Sequence, residues 1–81
     1  MVFELNTIWA ITTDDLQWIV AKRRSDGSWR GKAFVAGKKV TLSRVVDELG
    51  IVPTKIGNEA LGQLKSSFRE WLKFEEMQNL G

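Results

Sequence analysis

Residues 2–12 are rich in Val, Ile, Phe, Trp and Thr, side chains that suit a pleated, half-buried surface, and they predict a first strand. Asp14 and Asp15 break the run as a turn. Alternation resumes over 16–23, with Leu16, Trp18 and Val20 on one face and Gln17, Ile19, Ala21 and Arg23 on the other. The Ser-Asp-Gly-Ser of 25–28 is the clearest hairpin signal, because Gly27 accepts the positive φ of a tight turn. Residues 29–36 make a third strand, closed by Gly37 and Lys38.

The period then changes. Leu42, Val45, Val46 and Leu49 form one apolar stripe of a short helix, with Thr41 as its N-cap and Gly50 at the left-handed C-terminal position. Pro53 stops helical continuation. A longer helix follows, capped by Asn58 or by the earlier Thr54, with Leu61, Leu64, Phe68, Trp71 and Leu72 as its stripe. Phe74 and Met77 lie off that stripe, and Glu75 occupies the angle through which it would continue. The expectation is one α+β domain over 1–81: a three-stranded antiparallel β-meander followed by two α-helices packed on one face of the sheet.

Composition narrows the chemistry. A chain of 81 residues buries only about 60–65% of its unfolded surface, so its large side chains matter disproportionately. There is no cysteine and no histidine, which removes disulfides, thiolate nucleophiles and the commonest metal ligands and general bases. No metal or cofactor is expected. Gly57 and Gly62 have phosphate-loop spacing, yet Gln63 and Leu64 stand where Lys and Ser or Thr would be needed. Asp47 with Glu48, and Glu75 with Glu76, are helix neighbours that point apart, so neither makes a cooperating carboxylate pair. A non-enzymatic protein is the expectation. The N-terminus lacks a basic segment and an apolar core, and no stretch reaches the roughly 18 apolar residues of a membrane span, so a cytoplasmic protein is expected.

The net charge of +2 conceals an asymmetry. Residues 20–44 hold eight basic side chains against Asp26 alone, a net +7. Arg23, Arg24, Arg30, Lys32, Lys38 and Lys39 flank the 25–28 turn and lead into the first helix, where they would meet phosphate or an acidic protein surface. Alternatively, they keep edge strands soluble. Four tryptophans are many for this length. Trp71 belongs to the helix stripe, and Trp9 and Trp18 suit the core. Trp29, between a polar turn and Arg30, is the leading aromatic contact residue. Phe74, Met77, Glu75 and Glu76 make a second candidate surface, and Phe74 with Met77 would pair across a two-fold axis in a homodimer. Asp14 and Asp15 are a further acidic surface for a partner with a basic channel.

The order Trp9-Ala10-Ile11-Thr12-Thr13-Asp14, Gln17-Trp18-Ile19-Val20, Phe34, Thr41-Leu42 and Glu59-Ala60-Leu61 resembles small uncharacterised phage and prophage accessory proteins. The resemblance spans most of the chain and brings no catalytic residues. It implies a protein of a bacterial host cell that binds a host protein or nucleoprotein complex, such as an inhibitor of a defence system in the manner of anti-CRISPR proteins. The alternative function is direct nucleic-acid binding by the basic hairpin, with Trp29 stacking on a base.

Overall fold

The computed structural model describes residues 2–79. Four strands, β1 (Phe3–Glu4), β2 (Trp9–Thr13), β3 (Trp18–Arg23) and β4 (Trp29–Val35), form one antiparallel sheet in chain order. Three helices follow: α1 (Lys39–Glu48), α2 (Lys55–Gln63) and α3 (Phe68–Asn79). The class is α+β, but the expected three strands and two helices are corrected on both counts.

The additional strand comes from Asn6. Its Oδ1 accepts hydrogen bonds from the amides of Ile8 and Trp9, each 2.8 Å long, and folds 5–8 into a turn inside the expected first strand. The chain reverses there, so Phe3 lies opposite Ile11 and Glu4 opposite Ala10. The other two strand connections are built on aspartates. Asp14 Oδ1 accepts from the amides of Leu16 and Gln17 at 2.8 and 3.0 Å. Asp26 Oδ1 accepts from the Ser28 amide at 2.9 Å and from its hydroxyl at 2.6 Å, beside Gly27 at φ +87°. Leu16 is spent on the Asp14 turn and is 74% exposed, so it does not share the buried face of Trp18 and Val20.

The additional helix comes from a break at 64–67. Ser67 Oγ accepts the Glu70 amide at 3.2 Å, and the Ser66 hydroxyl donates to Glu70 Oε2 at 3.0 Å. Together they start a new helix. The break is held from outside by the segment before α1. The Phe68 amide donates to the Gly37 carbonyl and the Lys39 amide to the Ser66 carbonyl, both at 2.8 Å. Lys39 Nζ also donates to the Gly62 carbonyl at 2.8 Å, satisfying an orphan acceptor near the end of α2. This pairing draws the start of α1 back to Lys39, with Lys38 rather than Thr41 at the N-cap. At the other end of α1, Gly50 at φ +72° completes a Schellman motif: its amide donates to Asp47 and that of Ile51 to Val46. Thr54, not Asn58, caps α2 by accepting the Gly57 amide at 3.0 Å.

One face of the sheet carries the core. Ile11, Trp18, Val20 and Val35 meet Leu42 and Val46 of α1, Leu61 of α2 and Phe68 of α3. Leu49, expected in the α1 stripe, is exposed where the helix ends. Trp18 is completely buried, with Phe68 edge-on at 5.5 Å and Trp71 at 6.4 Å. On the opposite face of the sheet, Phe34 is 57% exposed. A Cβ on Gly31 would come within 3.1 Å of the Phe34 ring and of Ile19 Cγ2, so that glycine leaves the space the ring uses.

The two glycines of α2 differ in consequence. A Cβ at Gly57 would fall on the Leu5 carbonyl oxygen, with the Leu5 carbonyl carbon and Cα 2.9 Å away, whereas at Gly62 it meets nothing. Gly57→Ala should therefore lose about 1–3 kcal/mol through a backbone clash. Gly62→Ala should gain up to about 1 kcal/mol from helix propensity. Urea unfolding midpoints read both, and a stabilised Gly57→Ala would refute the close approach of α2 to Leu5.

Candidate functional site

The basic residues separate into two groups at opposite ends of β4. Lys22, Arg23, Arg24, Arg30 and Lys32, with Ser25, line an open concavity of about 440 Å³ at the β3–β4 hairpin end. Lys38 and Lys39 follow the other end of β4, a seven-residue strand and so roughly 20 Å away. Lys39 is occupied with Gly62, as described above. The single cluster expected from sequence proximity is therefore two, and the hairpin holds the denser one.

Strand register explains the hairpin group. Val20 pairs with Ala33, but Ala21 pairs with Gly31, leaving Lys32 as the extra residue of a β-bulge. Beyond the bulge, Lys22 stands directly opposite Arg30, and Arg23 opposite Trp29. Like charges facing each other across an antiparallel pair repel. On the other side of β3, Trp9 is opposite Lys22, and Lys22 Nζ lies 5.6 Å from the centre of its ring.

Arg23 links three strands. Its guanidinium sits 4.8 Å from the centre of the Trp29 ring, and its Nη2 lies 3.4 Å from Glu4 Oε1. Trp29 is half-buried, and its ring serves as a platform for Arg23 at the margin of the concavity. Both members of the Glu4–Arg23 pair remain about half exposed, so water and salt weaken their attraction. Asp26, the acid of the connecting turn, is committed to Ser28. Lys22 belongs to the basic 20–44 set but is not singled out as a contact residue by the sequence, and Glu4 is not singled out at all. Glu4 reaches Arg23 only because Asn6 folds β1 back beside β2.

The second expected surface is divided. Phe74 and Glu75 border a cleft of about 300 Å³ between β1, α2 and α3, whose walls include Val2, Phe3, Leu64 and Trp71. Lys65 Nζ caps the Phe74 ring at 4.4 Å. Met77, 64% exposed, and Glu76, also exposed, lie outside that cleft. Asp14 and Asp15 sit in an exposed turn, where Gln17 Nε2 donates to Asp14 Oδ2 at 3.0 Å. Among the described residues no three acidic side chains come together as a metal site, and no helix is long and apolar enough to cross a membrane.

The hydroxyl and then the amide of Ser28 hold the Asp26 carboxyl below its ordinary 3.8. Because the folded value is the lower one, the turn's contribution is complete above 3.8 and is lost as pH falls through the folded value. The Ser28 amide resonance should titrate with a midpoint below 3.8, and Asp26→Asn should abolish that step. A midpoint at or above the ordinary value would contradict the hydrogen-bonded turn. No family model, curated protein or solved structure matches the chain.

Proposed function

We propose that this chain is a non-enzymatic accessory protein of phage or mobile-element origin. In this reading it acts by docking its hairpin end on a host macromolecular complex, as an inhibitor of a defence system would. The observation that carries the docking surface is the concavity lined by Lys22, Arg23, Arg24, Arg30 and Lys32. Side chains needed only for solubility are better dispersed than gathered around one hollow. The Lys22–Arg30 pair also places like charges opposite each other, an arrangement that an anionic partner relieves. The phage and anti-defence context rests on the sequence resemblance, and the absence of histidine and cysteine supports binding over catalysis.

A tagged pull-down from bacterial lysate, with and without nuclease, compares the wild type with Arg30→Glu/Lys32→Glu. Docking predicts a discrete protein complex held in both arms and reduced at least about tenfold by the double variant, the size expected for opposing charges at an interface. A complex retained equally by the variant would overturn the hairpin as the docking surface. Nucleic acid alone, with nothing left after digestion, would replace docking by direct nucleic-acid binding.

A further inference from the structure

We infer that the anion gripped by the hairpin concavity is the phosphodiester backbone of a nucleic acid carried by the partner complex, and that Glu4 is its built-in competitor for Arg23. This rests on the docking reading and names the chemistry that the docking surface recognises.

Three of the five basic side chains, Arg23, Arg24 and Arg30, are arginines. Their planar forks match phosphate oxygens in pairs, which an ammonium cannot do. The concavity is open and gathers Lys22, Arg23, Arg24 and Arg30 with Lys32 at the bulge. A polyanion with closely spaced charges satisfies such a cluster. Lone carboxylates on a folded protein surface rarely come so densely. Facing Lys22 against Arg30 costs the free protein stability, and a phosphate seated between them turns that repulsion into attraction.

Glu4 supplies the other half of the inference. Its carboxylate sits 3.4 Å from Arg23 Nη2, a loose and half-exposed ion pair. The Trp29 ring, 4.8 Å from the same guanidinium, keeps Arg23 at the margin when Glu4 lets go. A phosphate that takes the Arg23 Nη2 donor competes with Glu4 for it, so the carboxylate lowers affinity without blocking the site.

A strand enclosed by a protein complex is sheltered from nuclease, so the grip is compatible with retention in both pull-down arms. The direct test uses fluorescence anisotropy with a labelled mixed-sequence single-stranded DNA of about 20 nucleotides, long enough to span one small binding face. Polyglutamate of similar length is the competitor. Titrations run from about 50 to 200 mM salt, where each phosphate contact on a single strand adds roughly 0.7 to the slope of log affinity against log salt.

The wild type should bind with a slope near −3, for about four contacts. Lys22→Ala/Arg30→Ala should bind at least about tenfold more weakly with a slope shallower by roughly 1.4, two contacts' worth. Lys38→Ala, at the far end of β4, should bind like the wild type. Glu4→Gln should tighten binding severalfold, a gain that misfolding would not produce. Circular-dichroism melts confirm that the variants fold.

Absence of oligonucleotide binding at the lowest salt, or displacement by polyglutamate at equal charge, would overturn the inference. So would equal affinities for the wild type and Lys22→Ala/Arg30→Ala. If the oligonucleotide fails to bind while capture of the protein complex still depends on Arg30 and Lys32, the phosphate inference falls and docking stands. If complex capture is also indifferent to those charges, both fall.

Discussion

Burial of Trp18 is the constraint around which the chain is arranged. A domain this small has little interior, and one indole fills more of it than any other side chain here. Trp18 sits on β3, between the strands that supply Ile11 and Val35, and Phe68 and Trp71 of α3 close over it. Its Nε1 is buried and has no hydrogen-bond partner among the described residues. That orphan donor works against the fold, so the apolar and aromatic contacts around the ring must outweigh it. Phe68, edge-on to the indole, is the first residue of α3. The pairing of Gly37 and Lys39 with Phe68 and Ser66 fixes that beginning. The sheet-to-helix connection and the α2–α3 break are thus one device, and its purpose in the fold is to close the core over Trp18.

Residues with a single local requirement were the legible ones. Gly27 and Gly50 both take positive φ, and each was readable from its neighbours alone. The Asp14 and Asp26 turns were readable for the same reason, since a short acidic side chain can cap its own reversal. Asn6 carries that same chemistry, yet its signal was masked by the apolar run on either side. The α2–α3 break was hidden differently. Leu61, Leu64 and Phe68 keep helical spacing through it, because both helices bury their apolar residues against the same core. The signature at Ser67 and Glu70 was present, but its strength comes from backbone partners nearly thirty residues earlier, which no local window contains.

Charge was legible in amount and not in place. Eight basic residues within 20–44 look like one patch along the chain, but an extended strand converts sequence proximity into distance. β4 carries Arg30 and Lys32 to one end of the sheet and delivers Lys38 and Lys39 to the other. The bulge then changes the pairing at the hairpin end. Without it, Arg30 would lie opposite Arg23 and Gly31 opposite Lys22; with it, Lys22 faces Arg30 and Trp29 faces Arg23. One inserted residue thereby changes the partner of Arg30 from Arg23 to Lys22 and frees Arg23 to meet the indole.

The remaining charge gives the molecule a direction. Six of the ten acidic side chains, Asp47, Glu48, Glu59, Glu70, Glu75 and Glu76, lie on the three helices, but so do Lys39, Arg44, Lys55, Arg69 and Lys73, which leaves the helices nearly neutral. The hairpin end gathers five basic ones around its concavity. An anionic surface therefore draws in the hairpin end, while the nearly neutral helices add little in either direction. A local cluster of that kind needs little net charge, which is why a total of +2 is compatible with a strongly basic hairpin end. The carboxylates on the helices share them with basic residues, whereas Glu4, on β1 beside the hairpin, lies 3.4 Å from the Arg23 guanidinium itself.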